Sequence, residues 1–172
     1  MADNRHHISN RALHTCMVIA VLVMAAMTSC FQNTTYYHYH STNVEGWERF
    51  DFLEYQMPPV ATSGYYVEEI GLRTNSQYPF SQITLVVNQC VVSTTNRTPG
   101  KYKSDTIVVD VYDQQGHPLG DGVAVRTHVI PFKSLKLQTG DSLSVKIKHD
   151  MRQTTLPGVA GVGLKVTRQY DE

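Results

Sequence analysis

The sequence predicts an all-β protein, an antiparallel β-sandwich of about seven to eight strands. First, apolar residues recur at every second position in short segments, the pattern of half-buried strands. The clearest alternations are Ile107, Val109 and Val111; Val123, Val125 and Val129; Leu143, Val145 and Ile147; and Val162, Leu164 and Val166. Second, turn residues such as Pro99-Gly100, Gly140-Asp141 and Pro157-Gly158 separate these segments. Third, no stretch after residue 31 has the 3.6-residue period of a helix.

Residues 1–29 have the composition of an export signal. A polar start carrying Arg5 and Arg11 precedes an apolar run over 16–27, and Thr28 and Ser29 follow. A positive start, a short apolar run and small residues before the cut are the parts of a secretory signal peptide. The run is shorter than the roughly 20 residues that span a bilayer. We therefore expect residues 1–29 to be cleaved.

The end of this signal resembles a bacterial lipobox, Met27-Thr28-Ser29-Cys30. In a lipobox the cysteine receives a diacylglycerol before the peptidase cuts in front of it. We expect Cys30 to be the lipid attachment site, with a further acyl chain such as palmitate, because two chains or more make a stable anchor. The acidic pair typical of surface-exported lipoproteins is missing at Phe31 and Gln32, which favours the periplasmic side of the outer membrane.

The remaining cysteine, Cys90, lies within the apolar run 83–92. Cys16 leaves with the signal and Cys30 is acylated, so Cys90 has no partner for a disulfide. A buried thiol is the expected state.

Residues 30–46 are poor in aliphatic side chains and show no periodic pattern. They are predicted to form a flexible tether between anchor and domain, whose residues 31–46 could extend about 50 Å. His38 and His40 could suggest a metal pair, but a third ligand is missing nearby. The β-sandwich domain is predicted to occupy 47–172.

Charge and motifs exclude several functional classes. The chain has 15 Lys+Arg and 15 Asp+Glu, a balance that argues against a nucleic-acid binder. Neither a Ser/His/Asp arrangement nor a pair of positioned carboxylates can be assembled. The sequence predicts neither enzymatic activity nor a cofactor.

The most conspicuous polar cluster is His149, Asp150 and Arg152. Strand alternation places His149 on the core face, at its rim, and Asp150 with Arg152 on the other face, where they could pair. The three residues are expected to act as a loop staple, that is, to hold the following loop in one conformation, or to contact a partner.

Three other sets of residues each have a functional and a structural interpretation. Scattered acids could suggest a calcium site, but we expect them to be surface acids. A group of aromatic residues could suggest a sugar-stacking platform, but we expect core packing. A group of cations could suggest a basic rim, but we expect a solvated face. The sets are Asp105, Asp110, Asp113 and Asp121; Trp47, Tyr65, Tyr66, Tyr78 and Phe80; and Lys133, Lys136, Lys146, Lys148, Lys165 and Arg168.

Several short segments, in this order, resemble the gliding-motility-associated lipoprotein GldH family. After the lipobox they are Trp47, Asp51-Phe52, Leu-Arg-Thr-Asn-Ser-Gln-Tyr-Pro-Phe-Ser-Gln-Ile at 72–83, Asp105-Thr106, Asp-Gln-Gln-Gly-His-Pro-Leu-Gly-Asp-Gly at 113–122, His149-Asp150-Met151-Arg152, Leu156-Pro157-Gly158-Val159 and Val162-Gly163. The resemblance implies an outer-membrane lipoprotein associated with gliding motility and type IX secretion. It implies no catalytic residues.

In bacteria of this kind, an Asp-Ser/Thr-aliphatic pattern marks periplasmic O-glycosylation. Thr106, within Asp105-Thr106-Ile107, and Ser142, within Asp141-Ser142-Leu143, match it. Both are candidate modification sites.

These observations together predict a non-enzymatic, lipid-anchored accessory or assembly component of an envelope machine. Its expected partners are the membrane, through the acyl anchor, and envelope proteins. The alternative is a periplasmic or surface glycan-binding lipoprotein, which requires a coplanar pair of aromatic rings on an outer face.

Overall fold

The computed structural model describes residues 34–93 and 100–169, together with Met17. The strands below belong to the unit Thr34–Glu172. Apart from Met17, the predicted signal peptide lies outside the described residues, as do the cleavage position and Cys30. Among those residues, no helix has the length and apolar character needed to cross a membrane.

The described residues form ten strands, arranged in two four-stranded antiparallel sheets and one small ladder. The strands are β1 (Thr34–Ser41), β2 (Trp47–Glu48), β3 (Leu53–Met57), β4 (Gly64–Asn75), β5 (Gln82–Val92), β6 (Lys103–Asp110), β7 (Val125–Leu137), β8 (Ser142–His149), β9 (Thr155–Leu156) and β10 (Val159–Gln169). The first sheet has the order β1-β10-β4-β7 and the second β3-β8-β5-β6, while β2 pairs with β9. The predicted antiparallel β-sandwich is confirmed.

The core lies between the two four-stranded sheets, where alternate side chains of each strand meet. On β8, Leu143, Val145 and Ile147 are buried, as their alternation predicts. Burial of each such side chain contributes about 1.5–3 kcal/mol. Cys90 is also buried, and its thiol donates to the Gly100 carbonyl at 3.0 Å.

The predicted core face of β7 is wrong for its first half. Val125 and Val129 are exposed, whereas His128 is buried, because the register with β4 places His128 opposite the inward Leu72. A bulge then shifts the register between Glu68 and Glu69 of β4, which face Lys133 and Pro131. One extra residue reverses which face each side chain occupies. The bulge lies on an edge strand, a position that tolerates proline.

The predicted tether is also wrong over residues 34–41, which form edge strand β1 along β10. The cause is a slot between two glycines, Gly71 and Gly163, that are far from β1 in the sequence. The side chain of Tyr39 lies on Gly71 and Gly163, where an added Cβ would clash with its hydroxyl and with its ring, respectively. The guanidinium of Arg73 lies 3.9 Å from the centroid of the same ring, a cation–π contact.

The inner face of β1 closes this side of the sandwich against β3. His40 Nε2–H donates to the Glu54 carbonyl at 2.8 Å, and the rings of His40 and Tyr55 lie 4.9 Å apart. The His38 and His40 rings stack edge to face at 4.6 Å. The polar and aromatic composition of β1 therefore serves docking onto the domain.

Filling the slot should detach Tyr39. We expect Gly163→Ala to lower the free energy of unfolding by about 1–3 kcal/mol, because its methyl group would occupy the place of the Tyr39 ring. Urea unfolding of the purified protein measures this.

The matched control is the same substitution in a Tyr39→Ala background, where the slot is empty and the cost should be small. An equal cost in both backgrounds would contradict the slot.

Candidate functional site

A buried carboxylate lies between the two sheets. Glu68 points inward from β4 and has no exposed surface, since its neighbours on that face are Tyr66 and Ile70. From β5 of the opposite sheet, Nε2 of Gln89 lies 2.8 Å from each carboxylate oxygen of Glu68. The pair is a polar link across the apolar core.

The Lys133–Asp105 ion pair adjoins this link. Lys133 lies directly opposite Glu68 on β7, and its ammonium contacts the Asp105 carboxylate of β6. Burial raises the pKa of Glu68 to about 7, while the Gln89 hydrogen bond and the Lys133 charge act in the opposite direction. Glu68 is therefore part protonated near neutral pH. Because it is enclosed, its proton affects stability and cannot reach a substrate.

A cleft of about 470 Å³ opens beside this ion pair. Its cations are Lys101, Lys103 and Lys133, and its apolar walls include Val91 and Leu135. Of the residues that the structure describes, none forms an ion pair with Lys101 or Lys103. The cleft therefore combines uncompensated positive charge with an apolar lining.

His149 and its two neighbours have different environments. His149 is fully buried, with Nε2 2.9 Å from the Trp47 carbonyl, and its Nδ1 accepts the Met151 amide at 3.3 Å. Burial lowers the pKa of His149, so the ring is neutral and carries its proton on Nε2. The expected pairing of Asp150 with Arg152 is wrong, because Asp150 binds Arg49 at 3.1 Å.

This geometry limits what the cluster can do. His149 contacts only the inside of the fold, whereas Asp150 and Arg152 are exposed and accessible to a partner. The Arg49–Asp150 pair is solvent-exposed and contributes at most about 1 kcal/mol. A role of the three residues as loop staple or partner contact stays a prediction.

The other predicted sets are dispersed by the fold. Asp105 binds Lys133, Asp110 accepts from Gln82, and Asp113 accepts from His117. In the described part of the chain, no three His, Cys, Asp or Glu side chains converge as metal ligands would. The six cations do not form one rim, since Lys146 binds Glu54 on the second sheet and Lys165 binds Glu69 on the first.

The aromatic residues are mostly core. Trp47, Tyr66 and Tyr78 are buried, and Tyr65 is exposed. The ring pairs in contact among the described residues cross at 45–79°, so none of these pairs has the coplanar arrangement that a sugar platform requires. Of the candidate O-glycosylation sites, Thr106 is exposed on β6 and Ser142 is half-buried at the start of β8.

Exposed aliphatic side chains concentrate on one side of the sandwich. Among the described residues, the exposed Val and Leu side chains are Val44 and five others on β6, β7 or the loop between them: Val108, Leu119, Val123, Val125 and Val129. We call these five the aliphatic edge. β6 and β7 are the edge strands of their sheets on this side, and the open edge of β7 pairs with Asp121 of the preceding loop at Thr127.

Sequence reasoning missed Glu68, Gln89 and the slot residue Tyr39. A signal for Glu68 was present, because it shares strand parity with Tyr66, Ile70 and Leu72 and so belonged to the inward face. Neither Gln89 nor Tyr39 had such a signal, since their partners come from strands remote in sequence.

A family model described as GldH lipoprotein matches residues 34–166, more than half of the 172-residue chain. The match begins at the first residue of β1 and ends within β10. Comparison with curated proteins finds no match.

The titration of Glu68 should be visible as pH-dependent stability. Its pKa is about 7 in the folded protein against an ordinary 4.5, so the folded state binds more protons between these values. Stability must therefore fall as pH rises from about 4.5 to about 7, by on the order of 3 kcal/mol. Glu68→Gln mimics the protonated acid, and we expect its free energy of unfolding to lie within about 1 kcal/mol of the native value at pH 5 and to exceed it by on the order of 3 kcal/mol at pH 8.

Urea unfolding at both pH values measures the difference, and the titrations of His128 and His149 cancel between the two proteins. The control is Glu69→Gln, because Glu69 faces outward and pairs with Lys165. A stability difference for Glu68→Gln that is the same at pH 5 and pH 8 would show that the carboxyl does not titrate in this range.

Proposed function

The chain belongs to the GldH lipoprotein family, whose members are associated with gliding motility, and on that premise we propose that it is a non-enzymatic accessory component of a motility or type IX secretion machine. In this proposal Cys30 carries the acyl chains that anchor the protein in the outer membrane. The sandwich then lies on the periplasmic side and meets its protein partner through the aliphatic edge.

The non-enzymatic role is supported by the partners of the buried reactive groups. His149 is engaged by two backbone groups, Glu68 by Gln89, and the Cys90 thiol by the Gly100 carbonyl. His128 contacts the Thr74 hydroxyl at 3.0 Å through Nε2. Each of these contacts lies inside the fold, where it stabilises packing.

The single observation that supports a protein partner is the aliphatic edge. Val108 and Val129 are 57% and 58% exposed, on neighbouring edge strands of the two sheets. Edge strands offer backbone donors and acceptors to another chain wherever their open side is not already paired, and apolar side chains there gain from burial. The opposite side is closed by the His40 and Tyr55 contacts between β1 and β3, which favours β6 and β7 as the contact surface.

Loss of the acylated residue should release the protein. We expect Cys30→Ser to move it from the membrane pellet to the soluble periplasmic fraction, because the chain would lose its acyl chains. Fractionation and immunoblotting of cells measure the distribution.

Cys90→Ser is the matched control and should remain with the membrane, since Cys90 is buried in the sandwich. A Cys30→Ser protein that stays in the membrane fraction would refute the anchor.

The partner surface can be tested by site-specific photo-cross-linking in native envelopes. A photoreactive residue at Val129 or at Val108 should give adducts with an envelope protein, which mass spectrometry then identifies. The same residue at Glu54, exposed on edge strand β3 at the other side, should not. Equal adducts at Glu54 and Val129, or none at Val129 and Val108, would exclude the aliphatic edge.

A further inference from the structure

The docking of β1 sets the distance between the proposed lipid anchor and the domain. β1 begins at Thr34, so only residues 31–33 separate it from Cys30. Four Cα–Cα steps span at most ~14 Å. The anchor must therefore emerge next to the end of the sandwich at which β1 begins, and we call this the anchor end.

The strand register shows which residues share that end. Thr34 pairs with Thr167, Thr167 with Val67, and Val67 with Ser134 on the far edge of the sheet. Three strand spacings put Thr34 and Ser134 roughly 14 Å apart across the sheet. Lys133 and Leu135, which line the cationic cleft, flank Ser134. The cleft thus lies at the same level as the first residue of β1.

The charge of the anchor end is positive over the described residues. The loops at this end are residues 58–63, residues 100–102 of the β5–β6 connection, and residues 138–141. The one acid in these loops is Asp141, which is buried and accepts a hydrogen bond from the Gln138 amide. Counting the adjoining strand residues as well, the cations at this end are Lys101, Lys103, Lys133, Lys136 and Arg168, and the further acid is Asp105, which pairs with Lys133.

The loops at the opposite end are rich in acids. They carry the five acids Glu45, Asp51, Asp113, Asp121 and Asp150 against two arginines, Arg49 and Arg152. The sandwich is thus polarised along its strands, with its positive end next to the anchor.

We propose that the anchor end lies on the membrane surface and that its cleft, lined by Lys101, Lys103 and Lys133, binds the phosphate headgroup of an anionic phospholipid. The inference rests on acylation of Cys30, which is part of the proposed function. Lysine ammonium groups attract anionic lipids at short range, and the apolar Val91 and Leu135 suit the glycerol and upper acyl region. The exposed Tyr65 and Tyr102 belong to the same end, and tyrosine favours the headgroup layer.

Hydrogen exchange of the acylated full-length mature protein tests the orientation. The protein is placed in nanodiscs of phosphatidylcholine alone or of phosphatidylcholine with phosphatidylglycerol at 7:3. We expect the amides of residues 100–104 and 134–138 to exchange about fivefold more slowly in the anionic discs than in the phosphatidylcholine discs. About fivefold is the gain in binding that the attraction of one lysine to an anionic surface contributes. Amides of the loop 111–124 at the opposite end should be unchanged.

Two triple variants separate a specific surface from a general charge effect. Lys101→Gln, Lys103→Gln and Lys136→Gln together should abolish the protection. Lys146→Gln, Lys148→Gln and Lys165→Gln together remove the same charge from the outer faces and should preserve it.

The remaining outcomes are distinguishable. Protein that is acylated and disc-bound but shows no protection, or equal protection in both disc types, overturns the headgroup site and leaves the anchor standing. An intact mass showing an unacylated Cys30 overturns the anchor and this inference together.

Discussion

The contact on which the rest of the arrangement depends is the ring of Tyr39 in its glycine slot. Gly71 and Gly163 lie on adjacent strands, and their missing side chains leave room for the ring, which Arg73 covers. This contact, together with the inward His40, converts a polar segment into the edge strand of a sheet. Since β1 is the first strand, its docking also decides where the chain leaves the domain.

The sequence predicted the fold class well because alternation is a local property of the inner strands. Leu143, Val145 and Ile147 are apolar at every second position, and both neighbours of β8 in the sheet require that parity. The prediction failed where long-range geometry overrides the pattern. The slot for Tyr39 needs glycines more than 30 residues away, and the bulge opposite Glu68 and Glu69 reverses the parity of β7.

The candidate sites, too, were predictable where the signal is local and were missed where it depends on residues distant in sequence. His149 was placed on the core face from parity alone, whereas its acceptor is a carbonyl of Trp47, 102 residues earlier. Glu68 has inward parity too, but a glutamate is almost never fully buried unless it is paired, so its residue type argues against a core position. The Gln89 amide supplies two hydrogen bonds across the core, which offset part of the cost of burying a carboxyl group. Neutralisation at a pKa of about 7 offsets another part.

The shortened connection changes how such a lipoprotein can work. A tether over residues 31–46 would have let the domain search about 50 Å from the membrane, whereas with the proposed acylation of Cys30 residues 31–33 would hold it near the headgroup layer. The aliphatic edge runs along β6 and β7, whose strands extend away from the anchor end. With the proposed anchor, a partner would have to come to the membrane to meet it, or be embedded there itself. A domain fixed in orientation loses less rotational freedom on binding than a tethered one. The glycine slot and the positive anchor end would then serve one purpose, which is to present the aliphatic edge at a defined height and angle.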